Sequence, residues 1–491
     1  MADIPGSVSE AADQLRAGTL SSVELTSAVL QRADELDART GTYITRFDEH
    51  ALAAARQADR ERAAGTDKGY LHGIPVGIKD LLAASEGPTT AQSLVLDPAW
   101  GAGKDATAVT RLRSVGAVIT GKLTTMEFAC GVPDPTKPFP VPRNPWRLDT
   151  WPGGSSSGAA IGVATGMFLA SIGTDTGGSI RIPAAFCGVT GLMPTFGLVS
   201  KAGCVPASYS LDRVGPLART ARDCAIMLQA LAGFDPLDPA SRDHKVPDYL
   251  AALNGSMDGV RIGVERAHHF PEGSDPAARE MFEQALDVMR GMGATTVEVT
   301  LPHYDAAIGA ARVTGGAEGM AYHRPDLLTR WDDYGPGTTW MISRGALVSG
   351  ADYVQAQRVR RVVQHALREL LTEVDLIASP TATIAAIPFT PDGSADFAEA
   401  FRFIFTQYWN LPGNPAISLP MGFSATGMPL SLHLAGRPFD EALLLRAADA
   451  YQRATGWHHR LPPLLSHQPT PDPATESAQP GTASESATRT N

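Results

Sequence analysis

Apolar residues recur along this chain in two alternating rhythms: a helical period of three to four positions, and short unbroken runs. Ser21-Ser22-Val23-Glu24 has the serine-to-glutamate spacing of a capping box, and Leu25, Val29 and Leu36 then share one face of the helix it opens. Apolar runs at 115–120, 260–264 and 296–301 read as strands, with a helix over 277–292 between the last two. A longer amphipathic stretch, 351–372, predicts a helix that precedes a strand at 374–378. Residues 159–172 are uncharged and mostly apolar, which predicts a buried helix running into a buried strand. The Gly, Ser and Thr laced through that region argue against a membrane span. The alternation predicts an α/β fold, a mixed β-sheet core covered by helices on both faces.

Composition narrows this picture. With 491 residues, 43% of them hydrophobic, the chain can bury a large core. Its formal net charge is −11 and it has no basic run, so nucleic-acid binding has no electrostatic footprint. Cys130, Cys187, Cys204 and Cys224 have no C-x-x-C spacing, and reduced cytoplasmic thiols are the expectation. The adjacent pairs His268-His269 and His458-His459 lack partner spacing, so no metal site is expected. Residues 1–5 carry neither a basic region nor an apolar core, and no export signal is expected. From Ser466 onward Leu, Ile, Val, Met and aromatics are missing, which predicts a disordered tail over 466–491.

The chemistry concentrates in residues 153–183. Two glycine-cushioned serines lie there, Ser155 in Gly153-Gly154-Ser155-Ser156-Ser157-Gly158 and Ser179 in Thr176-Gly177-Gly178-Ser179. No charged residue occurs between Asp149 and Asp175. Upstream, Lys79 ends the apolar, strand-like run Gly73-Ile74-Pro75-Val76-Gly77-Ile78-Lys79. Cleaving an amide takes a nucleophile, a base that later protonates the leaving nitrogen, and donors for the oxyanion. A lysine desolvated by burial loses its proton readily and can serve as that base. A second serine hydroxyl, both donor and acceptor, can relay the proton. The glycine turn before Ser179 supplies backbone N–H groups with little side-chain obstruction. Asp175 and Arg181 flank Ser179 and read as an ion pair that stiffens the loop, since arginine is too basic for acid–base work.

These stretches, together with Gly121-Lys122-Leu123-Thr124-Thr125-Met126-Glu127-Phe128-Ala129-Cys130-Gly131, Asn144-Pro145-Trp146 and, more weakly, residues 212–220 and 410–418, resemble the amidase signature family. The resemblance implies one catalytic domain over 1–465 with its signature core at about 70–220. It implies Ser179 as the acylated nucleophile, Ser155 as a bridging serine on a cis peptide, and Lys79 as the base. It further implies oxyanion donors on Thr176, Gly177, Gly178 and Ser179, and a substrate-facing carbonyl at Ala129. Ser157 departs from the family's usual glycine. Such enzymes act on carboxamides, anilides, carbamates and ureas without a cofactor, and one branch is the glutamine-hydrolysing subunit of a tRNA-dependent amidotransferase.

Between those classes the aromatic segments are the available signal. Trp331, Tyr334, Trp340, Met341, Phe401, Phe403, Phe405, Tyr408 and Trp409 suggest an aromatic-lined entrance suited to an anilide, aryl amide or aryl carbamate. The expectation is therefore a free-standing cytoplasmic hydrolase for a small amide, with no nucleic acid and no membrane, the homodimer left open. The amidotransferase subunit is the alternative. A weaker one takes Gly154-Ser155-Ser156-Ser157-Gly158 as the G-x-S-x-G elbow of an α/β-hydrolase esterase, with Ser156 as nucleophile. The loop-like, proline-containing run before it does not read as the strand such an elbow needs.

Overall fold

The computed structural model describes residues 4–391, 393 and 395–465. Eleven strands form one mixed sheet: β1 Tyr43–Arg46, β2 Pro75–Lys79, β3 Val118–Leu123, β4 Ala170–Asp175, β5 Thr190–Met193, β6 Arg213–Ala218, β7 Arg261–Glu265, β8 Thr295–Val299, β9 Leu376–Pro380, β10 Ala416–Phe423 and β11 Pro429–Gly436. Their order across the sheet is β1-β3-β2-β4-β6-β5-β10-β11-β9-β7-β8. Two parallel groups, β3-β2-β4 and β8-β7-β9, are joined through the antiparallel strands β6, β5, β10 and β11. Parallel strands need both faces covered. One face is packed by the helices Ala221–Leu231, Pro276–Gly291 and Glu441–Thr455 through residues such as Cys224, Phe282 and Leu444. The other carries the helices Ser157–Thr165, Tyr304–Leu327 and Gly350–Glu373.

The expected elements are present with shifted ends. Ser21 and Glu24 close a complete capping box on the helix Ser22–Thr40. The run expected as a strand at 115–120 begins later, because Val115 caps the helix Thr107–Ser114 and Gly116 turns the chain at φ 78°. The strands expected at 260–264, 296–301 and 374–378 are β7, β8 and β9, displaced by one or two residues. The small-residue stretch is a helix as far as Thr165, where Gly166 at φ 75° stops it and the chain re-enters as β4. The tail expected over 466–491 lies outside the described residues.

This topology decides where the chemistry gathers. Lys79 ends β2 and Asp175 ends the neighbouring parallel strand β4, so both lie at one carboxyl edge of the sheet. Loops leaving that edge are the usual place for a site in an α/β sheet.

Candidate active site

At that edge the turn of residues 153–156 meets the loop 176–180. The Gly154–Ser155 peptide is cis, and Ser156 N donates to Ser179 O at 3.0 Å, pinning one serine loop to the other. Lys79 is completely buried, with its Nζ 2.7 Å from Ser155 Oγ, 2.8 Å from Thr174 Oγ1 and 3.1 Å from Ser156 Oγ. Among the described residues no carboxylate pairs with it. Its neighbour in the sheet, Lys122, is equally buried but has Asp80 at 3.0 Å. The two lysines therefore have opposite roles available: Lys122 is held as an ion pair, whereas Lys79 meets only hydroxyls. Burial brings the Lys79 amine down to about 7.

The hydroxyl network fixes where a neutral amine points. Ser156 Oγ donates to Thr174 O at 3.1 Å, so towards Lys79 it can only accept. With one amine hydrogen on Ser156 and the other on Thr174, the nitrogen lone pair is left for the Ser155 hydroxyl. Among the described residues no hydrogen bond joins Ser155 Oγ to Ser179 Oγ.

The loop carrying Ser179 is held from below. Asp175 is buried; its Oδ1 accepts from Gly178 N at 2.8 Å and its Oδ2 from Ile180 N at 3.2 Å, bracketing Ser179. Arg181 Nε and Nη2 each donate to Asp175 at 3.0 Å. Burial alone would raise the Asp175 carboxyl, but Arg181 and these donors hold it well below the usual carboxylate range. Gly178 sits at φ 135°, and a Cβ there would lie 2.1 Å from Thr406 Oγ1, so only glycine fits. Its amide is committed to Asp175, while those of Gly177 and Ser179 bond no acceptor among the described residues. The Thr176 side chain ties the loop from the other end, its Oγ1 donating to Asp212 Oδ1 at 2.6 Å.

Ala129 ends the short helical turn that begins at Glu127, at φ 61°. That turn hangs from the residue after Lys79: Ala91 N donates to Asp80 O at 3.0 Å, and Phe128 N to Ala91 O at 2.9 Å. Ser157 is accommodated, since its hydroxyl donates to Gly153 O at 2.6 Å and closes the serine turn. Among the described residues the buried Ser156 hydroxyl bonds only the Lys79 amine and the Thr174 backbone, neither a histidine, and residues 151–155 form no strand, so the elbow pattern lacks both supports. Thr174, Asn410 and Asp212 belong to the site although the sequence pattern gave them no role. Asp212 and Asn410 head the two stretches of weaker family resemblance, 212–220 and 410–418, and Thr174 directly precedes Asp175.

The aromatic entrance is not formed as expected. Tyr408 and Trp409 are wholly buried in the core under the helices Tyr304–Leu327 and Gly350–Glu373, and Phe403, Phe405 and Tyr334 are also buried. Trp331 and Trp340 are half exposed. Apolar bulk in residues 403–409 packs the interior instead of lining a mouth. A cavity of about 270 Å³ opens beside Thr174 and is lined by Lys201, Tyr209, Asp212, Arg213 and Asp238.

Comparison with known proteins agrees with this geometry. The sequence profile of the Amidase family matches residues 24–445. The A subunit of the glutamyl-tRNA(Gln) amidotransferase of Roseiflexus sp. (strain RS-1) is 42% identical over 483 residues, spanning 93% of this chain and 98% of that protein. Among solved structures, the peptide amidase of Stenotrophomonas maltophilia superposes with a TM-score of 0.80 at 31% identity, over 93% of this chain and 98% of that one. A bacterial aryl acylamidase of the amidase signature family superposes at 0.84 with 25% identity, over 94% and 99%. The Roseiflexus relative corrects one expectation. Its name makes it part of an enzyme acting at glutamyl-tRNA(Gln), which conflicts with a lone enzyme for a small amide with no nucleic acid. The net negative charge and lack of a basic run are no guide there, because one chain of an assembly need not carry the nucleic-acid contact of the whole. Among the described residues no helix is long and apolar enough to cross a membrane. Profile, relatives, fold and the lysine–serine geometry all agree: this chain belongs to the Amidase family, the amidase signature hydrolases of C–N bonds.

Proposed function

We propose that this chain is the amide-hydrolysing subunit of a tRNA-dependent amidotransferase, releasing the carboxamide nitrogen of glutamine through an acyl-enzyme on Ser179. The observation that carries this reading is 42% identity along 98% of the Roseiflexus amidotransferase chain. The burial of Phe403, Phe405, Tyr408 and Trp409 supports it by taking that segment out of an aromatic entrance.

In this mechanism the Lys79 amine takes the Ser155 proton as Ser155 takes that of Ser179, and Ser179 Oγ attacks the carboxamide carbon. The amides of Gly177 and Ser179 receive the oxyanion. The proton then returns from Lys79 through Ser155 to the departing nitrogen, giving ammonia and an acyl-enzyme that water cleaves by the same route.

The test measures ammonium release from glutamine by the chain alone and with the remaining subunits of a glutamyl-tRNA(Gln) amidotransferase, beside nitroaniline release from an anilide. Glutamine hydrolysis that rises on assembly supports the proposal. Rapid anilide cleavage with no glutamine turnover in either setting refutes it and favours the aryl amide reading, for which the aryl acylamidase likeness speaks.

A further inference from the structure

Arg181 is fully buried, and its guanidinium is held on every side. Besides Asp175, Nη2 donates to Asn410 Oδ1 at 2.7 Å and Nη1 to Thr406 O at 3.0 Å. Nη1 also lies 3.0 Å from His433 Nε2. Arginine can only donate, so His433 Nε2 must accept. A neutral imidazole that accepts at Nε2 carries its hydrogen on Nδ1. Burial and the adjacent Arg181 charge hold the ring well below its ordinary pKa, so it stays neutral.

Among the described residues that Nδ1–H is buried and has no partner. It is not alone. His433 on β11 stands directly opposite Ser379 on β9, on one face of the sheet, and Ser379 Oγ is likewise buried and unpartnered. The Trp409 ring lies nearby, its centroid 6.1 Å from that of His433, and its Nε1–H is a third unpartnered buried group. Buried polar groups in folded proteins nearly always have a partner, and where side chains supply none an ordered water does. One water between these groups would satisfy all three, accepting from His433 Nδ1 and Trp409 Nε1 and donating to Ser379 Oγ.

We infer that His433 is a positioning residue for the nucleophile loop, acting through Arg181, and that a buried water shared with Ser379 and Trp409 fixes its Nδ1–H tautomer. The line of action is continuous. His433 orients Arg181, Arg181 orients Asp175, and Asp175 holds the amides on either side of Ser179. Thr406 adds a second tie, accepting from Arg181 through its carbonyl and donating from Oγ1 to Gly177 O at 2.7 Å.

The test is the rate at which a fluorophosphonate labels Ser179, split into the maximal labelling rate and the concentration for half-maximal rate. His433→Phe keeps an aromatic ring and removes the acceptor. The maximal rate should fall about tenfold to a hundredfold, the size expected for a slight misplacement of reacting groups, with the half-maximal concentration unchanged. His433→Gln, whose amide oxygen can accept from Arg181, should recover most of that rate. A purely structural role would instead lower Tm in both variants and leave the labelling rate per folded molecule intact. Full-speed labelling in His433→Phe overturns the proposal, as does His433→Gln being no faster than His433→Phe. If His433→Phe does not fold, labelling by His433→Gln within a few-fold of wild type supports the proposal and a loss of tenfold or more overturns it. A high-resolution crystal structure must also show water density within hydrogen-bond distance of His433 Nδ1, Trp409 Nε1 and Ser379 Oγ. An ordered pocket without it refutes the tautomer assignment.

Discussion

Replacing Lys79 by methionine keeps most of the length of the side chain and removes its amine. In the native structure that amine is buried among three hydroxyls with no carboxylate, and its pKa is about 7. In the unfolded chain it returns to about 10.4. Between those values the unfolded state binds the extra proton, so native stability rises with pH across this window. The penalty carried by Lys79 is about 4 kcal/mol near pH 7 and about 1 kcal/mol near pH 9.5. Methionine carries no such penalty. The stability difference between Lys79→Met and wild type should therefore move by about 3 kcal/mol in favour of wild type over that interval. Lost hydrogen bonds to Ser155, Ser156 and Thr174 offset both measurements equally and cancel. The assay is urea unfolding of both proteins at the two pH values, compared through their midpoints and slopes. In parallel, wild-type Ser179 labelling should rise with pH through an apparent pKa near 7 and be lost by several orders of magnitude in the variant. A stability difference that does not change with pH would refute the neutral-lysine reasoning, whatever the activity.

Fluorophosphonate followed by peptide mass spectrometry should place the label on Ser179, and Ser179→Ala should abolish it; label on Ser156 would restore the elbow reading. Ser155→Ala should slow labelling by about a hundredfold or more, since the relay to Lys79 is cut while the nucleophile remains. Asp175→Asn leaves Arg181 as a buried charge without its carboxylate and should cost about 3–5 kcal/mol, read as a lower urea midpoint. Ser157→Gly removes the hydrogen bond to Gly153 O and loosens the first turn of its helix, so it should cost about 1–2 kcal/mol and leave the labelling rate near wild type.

Much of this protein was legible in the chain alone. The capping box at Ser21 and Glu24 is a local motif and formed as written. The Gly-Gly-Ser turn before Ser179 is also local, because a positive φ at Gly178 is open to a residue without a Cβ. The apolar strand around Lys79 announced burial, and burial by itself lowers an amine's pKa. What the sequence did not hold were relations between distant positions. Thr174 and Ser156 aim the Lys79 lone pair, and Asn410 and His433 orient Arg181 across more than 200 residues of chain; only the order of strands in the sheet brings them together. Lys79 and Lys122 end up as buried neighbours, and which of them receives Asp80 was settled by how β2 and β3 pair. Aromatic residues at 403–409 have the same composition whether they line a mouth or fill a core. Packing made them core: Tyr408 and Trp409 lie against the helices of the second face, because apolar area is buried wherever the topology offers a covered surface.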